Sequence, residues 1–232
     1  MFILFKLLYF IGFIVLFTLI SSLLSISSYP SYLLISTTWN ELNPLSSLFF
    51  ASLGIVLALT ILMFSNAIFI RILSLIFPVN EGKSSIYGYK MSVWAIQYFL
   101  MNFMNTFFLP VFRTTPLMNL FYRALGAKIG KNVFFNSSYI YEPHLIEIGD
   151  NSRVGENAIL VPHTTEGKSF TCKKIIIGKN VTIGQYCQIL PGAVIGDNVI
   201  IAAGAIVPKD KIIEANSIYG GNPLAFIKSY GV

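Results

Sequence analysis

Charged residues are scarce in the first third of this chain. Only 11% of its 232 residues are charged, whereas 55% are hydrophobic. Up to Ser74, the only charged side chains are those of Lys6, Glu41 and Arg71. This composition excludes a single ordinary soluble domain, in which about a quarter of the residues are charged. We therefore expect a membrane region at the front of the chain and a soluble domain behind it.

Cysteine is also rare, with only Cys172 and Cys187 in the chain. Two cysteines do not form a disulfide framework, so nothing in the sequence requires an oxidising compartment. Cys187 falls at a small core position of a repeat described below, and we expect it to pack there. Cys172 lies beside Lys173 and Lys174, which could lower the pKa of its thiol, so a reactive cysteine is the minority interpretation.

Apolar runs of spanning length occupy the front of the chain. The segments at about 7–25 and 48–70 are long enough for two transmembrane helices. A cleaved signal peptide is the alternative for the first run. The connecting segment 26–47 has no Lys or Arg, whereas basic residues precede the first run and follow the second. The positive-inside rule thus predicts a multi-pass cell-membrane protein with both ends of this hairpin in the cytoplasm.

A third apolar segment, 92–112, has no charged residue but several polar ones. Tyr98, Asn102 and Asn105 fall on one helical stripe. We expect a re-entrant or interfacial helix; a third span, which would place the following domain outside, is the alternative. The membrane region is thus predicted to cover 1–115. The remainder, 116–232, begins with an amphipathic helix that we expect to lay the soluble domain against the bilayer.

The second half of the chain repeats with a period of six. The residue after each repeating aliphatic is mostly Gly, and the residue four positions after it is small or β-branched. Each hexad predicts a short strand and a tight turn in which glycine supplies the turn conformation. Three hexads close one coil, and about four stacked coils form a parallel β-helix. The repeating aliphatics are Ile148, Val154, Leu160, Ile177, Ile183, Ile189, Ile195, Ile201 and Val207.

Two irregularities interrupt this repeat. Earlier hexads at Ile129 and Phe135 slip by one residue near Tyr141, which predicts an irregular first coil. Later, eleven extra residues separate Leu160 from Ile177. Insertions in a solenoid project from one edge, and loops on a rigid scaffold are where function concentrates.

His163 stands at the mouth of this inserted loop, which runs over residues 164–174. An imidazole titrates near neutrality, so it can take a proton from a hydroxyl or amine that attacks a thioester. We therefore expect His163 to be a general base. A surface histidine that merely caps a strand is the alternative.

The hexads and the ending 217–228, Ser-Ile-Tyr-Gly-Gly-Asn-Pro-Leu-Ala-Phe-Ile-Lys, resemble the left-handed β-helix of the hexapeptide-repeat acyltransferases. The resemblance covers about the last half of the chain. It implies an all-β left-handed parallel β-helix, here preceded by an α-helical transmembrane and interfacial region. It also implies an acyl-CoA donor, for which we expect acetyl-CoA, and a homotrimer with active sites between neighbouring subunits. The predicted topology places those sites near the cytoplasmic leaflet.

The same resemblance assigns roles to three residues. In this family a histidine before an inserted loop acts as the base, and His163 matches it. Asn136, in Phe134-Phe-Asn, resembles an acceptor-binding asparagine; a plain turn asparagine near the register slip is the alternative. Glu142 matches an acidic residue that would orient His163 or bind the acceptor, with a solvated turn carboxylate as the alternative.

Four further residues are implied to bind the donor. Ala203 and Gly204 offer a flat face along which a pantetheine arm would lie close to the backbone. Lys209 and Lys228 match basic residues that meet the phosphates of CoA. The alternative is that both lysines are solvated. No metal is implied.

The whole layout also resembles the carboxy-terminal part of poly-lysine-synthetase-type non-ribosomal peptide synthetases. Condensation of an aminoacyl or peptidyl group from a carrier-bound thioester is therefore an alternative activity. A γ-type carbonic anhydrase shares the fold but takes zinc from three histidines, and this chain has only His144 and His163. A non-catalytic, membrane-tethered β-helix scaffold is the other alternative.

The partners follow from the charge and the layout. A net charge of +6 accompanies basic residues clustered near the apolar segments. No nucleic-acid-binding motif accompanies them, so we expect an anionic bilayer surface and not nucleic acid. The acceptor is expected to be a small molecule or a lipid-linked group, and the sequence leaves its identity open.

Overall fold

The computed structural model describes residues 21–22, 24–37 and 43–229. The first predicted span, 7–25, lies almost entirely outside these residues. The chain forms two compact units, Met1–Asn66 and Ala67–Val232. Residues 67–115, predicted to belong to the membrane region, are thus in the same unit as the β-helix.

The first unit is helical where it is described. Residues 24–37 are helical, and helix α1 (Pro44–Ile76) begins in this unit. The Ser31 hydroxyl donates a hydrogen bond of 2.5 Å to the carbonyl of Gly54. By length and composition α1 could cross a bilayer, and the predicted span 48–70 lies within it. Whether it does so stays a prediction.

The second unit begins with elements that precede the β-helix. They are β1 (Gly82–Ser85), α2 (Tyr89–Phe107) and α3 (Leu109–Phe112). Helix α2 has a buried face and an exposed face. The exposed face carries Ile96, Phe99 and Phe107. The buried face comprises Val93, Gln97, Leu100, Met101, Met104 and Asn105.

Helix α4 (Pro116–Ala124) packs its apolar side against the start of the β-helix. Its apolar residues Met118, Phe121 and Tyr122 are completely buried within the protein. The Tyr122 ring lies 5.0 Å from the ring of Phe135 in the first coil. The apolar stripe of this amphipathic helix thus packs on the first coil of the β-helix. The expectation that α4 lays the domain against a bilayer stays a prediction.

Three parallel sheets form the β-helix, as predicted. The first sheet contains β2 (Lys128–Ile129), β4 (Ile146–Ile148), β9 (Ile175–Ile177), β12 (Val194–Ile195) and β15 (Ile212–Ile213). The second contains β3 (Phe134–Phe135), β5 (Arg153–Val154), β10 (Thr182–Ile183), β13 (Ile200–Ile201) and β16 (Ser217–Gly220), extended by antiparallel β17 (Ala225–Ser229). The third contains β6 (Ile159–Leu160), β11 (Gln188–Ile189) and β14 (Ile206–Val207).

The predicted inward phase of the hexads is confirmed. All nine repeating aliphatics from Ile148 to Val207 are at most 3% exposed. The first coil is irregular, as expected. After β3 it makes only an isolated bridge between Ile140 and Leu160, followed by a 3-10 turn at Pro143–Leu145.

The turn glycines have a different role from the predicted one. A Cβ added to Gly149 would lie 2.6 Å from the backbone carbon of Gly178, and one on Gly184 would lie 2.5 Å from the backbone nitrogen of Ala203. These glycines therefore allow stacked coils to approach closely. The left-handed backbone is supplied mainly by asparagines, whose side chains also pair between coils. Positive φ angles occur at Asn132, Asn151, Asn157, Asn180, Asn198 and Asn216.

Candidate active site

The inserted segment is an antiparallel hairpin and not an open loop. It consists of β7 (His163–Glu166) and β8 (Ser169–Cys172), with β1 as a third strand beside β8. Two ion pairs join the hairpin and its end to the turn after β14. Lys209 pairs with Glu166, and Lys173 Nζ lies 2.7 Å from both carboxylate oxygens of Asp210. The hairpin is therefore held along the edge of the solenoid.

Cys172 is the register partner of His163 in this hairpin. Its side chain is buried, and burial, together with the nearby charge of Glu142, raises the pKa of the Cys172 thiol to about 12. The thiol is thus protonated near neutral pH, which removes the basis for a reactive cysteine. Cys187 is also buried, at the core position predicted for it.

His163 and Glu142 form a hydrogen-bonded pair. The distance from His163 Nδ1 to Glu142 Oε2 is 2.8 Å. A carboxylate only accepts, so Nδ1 carries a proton, and in the neutral ring the lone pair is on Nε2. The side chains are 16% and 5% exposed, respectively. The structure thus brings together two of the three predicted catalytic residues, and it places Glu142 where it orients the imidazole.

Trp94, on helix α2, also contacts this pair. Its indole Nε1 donates to Glu142 Oε1 over 2.7 Å, so both carboxylate oxygens of Glu142 accept a hydrogen bond. The Trp94 and His163 rings lie 4.7 Å apart at 61°. Sequence reasoning missed Trp94. The available signal was its position four residues before Tyr98, which places both side chains on one helical face.

Three more aromatic rings surround the imidazole of His163. Tyr98 and Phe170 lie 5.8 Å and 6.2 Å from it, and Tyr141 lies 6.2 Å from it. Burial, followed by the neighbouring Tyr98 hydroxyl, raises the pKa of Tyr141 far above its ordinary value. Tyr141 is therefore a neutral phenol at physiological pH. The imidazole sits in a largely apolar enclosure with its base nitrogen not engaged by Glu142.

A small cavity lies beside Glu142. Its volume is about 20 Å³, enough for a single water molecule, and its lining includes Gln97, Tyr98 and His144. His144 Nε2 donates to the carbonyl of Val79 over 3.0 Å. This hydrogen bond gives His144 a structural role, because it ties the turn after the first coil to the segment before β1.

Asn136 lies elsewhere on the solenoid. Its backbone N–H donates to the Val154 carbonyl at the end of the second sheet, whereas His163 follows the third sheet. Within the described residues, no hydrogen bond joins the Asn136 side chain to His163 or Glu142. One subunit therefore does not bring Asn136 into the His163–Glu142 pair.

The four residues predicted to bind the donor are exposed and lie in three places. Ala203 and Gly204 form the turn between the second and third sheets, and Lys228 lies on β17. Lys209 follows the third sheet, as His163 does, but two coils further on. At about 4.8 Å per coil, these two residues are separated by roughly 10 Å along the axis.

Comparison with known proteins decides the family. The profile described as bacterial transferase hexapeptide (six repeats) matches residues 174–209. YvoF of Bacillus subtilis (strain 168), classed as an acetyltransferase, is 32% identical over 136 residues, which cover 56% of this chain and 78% of YvoF. The chain belongs to the hexapeptide-repeat acyltransferase family. This membership makes it an acyltransferase, and the left-handed β-helix is the fold of the family.

Two further relatives differ in the chemistry that their names describe. The galactoside O-acetyltransferase of Escherichia coli (strain K12) is 37% identical over 109 residues, covering 43% of this chain and 52% of that enzyme. The delta-poly-L-ornithine synthetase of Acinetobacter baumannii (strain AB307-0294) is 28% identical over 116 residues, covering 50% of this chain but 9% of the synthetase. The chain is therefore similar both to an O-acetyltransferase and to part of a peptide-forming synthetase. These are the two classes of relative that the sequence motifs indicated.

Proposed function

We propose that the protein is a membrane-anchored acyltransferase that transfers an acetyl group from acetyl-CoA to a hydroxyl or amine of a membrane-associated acceptor. The observation that carries the proposal is the hydrogen bond between Glu142 and His163 at the base of the hairpin. It leaves Nε2 as the basic nitrogen of a shielded imidazole. A non-catalytic scaffold has no need for such an arrangement.

The proposed reaction is a direct transfer. Nε2 of His163 takes the proton of the acceptor hydroxyl or amine while its oxygen or nitrogen attacks the thioester carbonyl carbon. Glu142 stabilises the imidazolium that forms. The tetrahedral intermediate then collapses, the carbon–sulfur bond breaks, and the departing thiolate receives the proton from Nε2. The products are the acylated acceptor and free CoA, and His163 returns to its starting state.

The donor would lie along the outside of the coils. Ala203 and Gly204 would face the pantetheine arm, and Lys209 and Lys228 would meet the phosphates. Lys209 already pairs with Glu166. A phosphate of CoA would therefore replace the Glu166 carboxylate as the partner of Lys209. In a single chain these residues occupy separate places, which is compatible with a homotrimer whose sites combine surfaces of neighbouring subunits.

Two features support an acceptor at the membrane. Helix α1 is long and apolar enough to span. In the second unit, the exposed side of α2 carries Ile96, Phe99 and Phe107. Lys90 lies in the first turn of this helix, and Arg113 follows α3. Such a face suits the interfacial region of a bilayer. We propose a cell-membrane location with the β-helix on the cytoplasmic side, where acyl-CoA is available.

Condensation from a carrier-bound thioester is the second candidate. The similarity to the poly-L-ornithine synthetase favours it. The acid–base chemistry at His163 would be the same, because a carrier presents its acyl group on the same kind of thioester. The two donors are therefore distinguished by substrate and not by the catalytic pair.

The test is thiol release from acetyl-CoA by the full-length protein with fractionated host lipids. We expect lipid-dependent release, and His163→Ala should lower it by roughly 100-fold, the usual share of general-base catalysis. Thr165→Ala, an exposed position on the same hairpin, is the matched control. Release that is equal in both variants contradicts the proposal. Activity only with an aminoacyl carrier protein would select the second candidate.

A further inference from the structure

We propose that Trp94 is a positioning residue of the active site: its indole N–H orients the carboxylate of Glu142, so that His163 keeps its proton on Nδ1. This inference rests on the proposed function. It makes helix α2, which lies before the repeats in the chain, a part of the catalytic centre. The β-helix alone then holds only an incomplete site.

The carboxylate of Glu142 needs such a donor. Its side chain is 5% exposed, and a buried carboxylate is costly unless hydrogen bonds compensate it. Within the described residues, its ion pair is with His163 and not with a lysine or arginine. The indole N–H of Trp94 and the Nδ1–H of His163 each donate a hydrogen bond to one carboxylate oxygen, at 2.7 Å and 2.8 Å, respectively. Both distances are those of charge-assisted hydrogen bonds.

Trp94 is held firmly enough to act as a fixed donor. Its ring lies 4.9 Å from Tyr98 on the same helix and 5.0 Å from Phe170 on the hairpin. It also covers the imidazole of His163 at 4.7 Å. A donor fixed in this way orients the carboxylate before substrate binds and keeps water from one side of the pair.

The position of α2 against the hairpin therefore decides whether Glu142 keeps the hydrogen bond from Trp94. One side of the helix carries Trp94 and Tyr98, and the other exposes apolar side chains such as Ile96 and Phe107. A shift of the helix away from the hairpin would remove a donor from Glu142. It would also open the imidazole of His163 to water.

Loss of the indole N–H should change how the pair binds protons. The titratable groups facing His163 are Glu142, Tyr98 and Tyr141, with Cys172 as its strand partner and Lys90 as a cation near that thiol. Without Trp94, one carboxylate oxygen loses its donor in a nearly dry site. The Glu142–His163 pair, titrating as a unit, then takes up its second proton at higher pH. Catalysis needs a neutral His163 with its proton on Nδ1. The acid limb of the rate profile should therefore also move to higher pH.

The test uses Trp94→Phe in the full-length protein, which keeps a ring and removes the N–H. The chain has two histidines, so NMR can follow both rings against pH, with His144→Gln for assignment. We expect the His163 midpoint to rise by about one pH unit, and kcat at neutral pH to fall about tenfold and recover at higher pH. KM for acetyl-CoA should not change. Ile96→Ala, on the opposite face of α2, should leave midpoint and rate unchanged.

An unshifted His163 midpoint in folded Trp94→Phe would overturn the inference. The NMR titration needs no turnover, so it separates a failure of this inference from a failure of the proposed function. If Trp94→Phe does not fold, the wild-type indole N–H signal decides the matter, assigned with Trp39→Phe. We expect this signal to shift as the pair titrates, and a pH-independent signal would refute the role of Trp94.

Discussion

Tyr98 and Tyr141 stack face to face, with ring centroids 5.0 Å apart and an interplanar angle of 19°. Tyr98 belongs to α2, and Tyr141 belongs to the irregular first coil of the β-helix. The stack joins the helix that carries Trp94 to the turn that carries Glu142. The segment before the repeats and the repeats themselves therefore share one candidate site.

The rate of acyl transfer should depend on the protonation of His163. Only the neutral ring accepts a proton at Nε2, so the wild-type rate should fall as the pH drops through the range in which the imidazole becomes charged. The residual rate of His163→Ala should lack this acid limb. A pH–rate profile with saturating acetyl-CoA measures both. The same acid limb in both proteins would assign the base to another residue.

Glu142→Ala should reduce activity less than His163→Ala does, because Glu142 acts through the imidazole and does not itself take the proton from the acceptor. We expect a loss on the order of 10-fold in kcat with little change in KM for the donor. Glu142→Gln is the isosteric comparison: its amide has only one oxygen to accept hydrogen bonds, whereas both Trp94 and His163 donate. Steady-state kinetics of the three variants decide this. A Glu142→Ala loss equal to that of His163→Ala would mean a more direct role.

Ile195→Asp should destabilise the β-helix by several kcal/mol, because it places an unpaired carboxylate in the aliphatic row. Ile195 is 1% exposed. Ile212→Asp is the matched control, since Ile212 is a strand residue of the same sheet but 70% exposed. Thermal unfolding followed by circular dichroism should separate the two variants. Equal melting temperatures would contradict the inward phase.

Gly184→Ala should be more harmful than Gly167→Ala. At Gly184 the new Cβ would meet the backbone of the next coil, and overpacking of this kind costs about 1–3 kcal/mol. At Gly167 the backbone is left-handed but the space is open, so only a conformational cost of about 1 kcal/mol is expected. Denaturant unfolding gives both values. The reverse order would show that turn conformation, and not close approach, selects these glycines.

Cys172 should react slowly with thiol reagents in the folded protein. Its pKa is raised to about 12, so almost no thiolate is present at pH 8, and the side chain is buried. Labelling by a maleimide should become fast only in denaturant. Rapid labelling of native protein, mapped to Cys172 by mass spectrometry, would show that the hairpin opens readily.

The period of six was enough to predict the β-helix, its inward face and its irregular first coil. These features are local, because each hexad repeats one strand and one turn, and a stack of such units buries the same side chains in every coil. The inserted segment and the candidate base His163 followed from the same period, since an interruption is visible only against a regular repeat.

The tertiary structure decided which distant residues meet. Trp94 and Glu142 are 48 residues apart in the chain, and no periodicity relates them. The amphipathic pattern of α4 fits either a bilayer or the end of a solenoid, and only the packing of Phe121 and Tyr122 selects the solenoid. A sequence pattern shows that a face must be buried, but the partner that covers it depends on contacts between elements that the pattern does not contain.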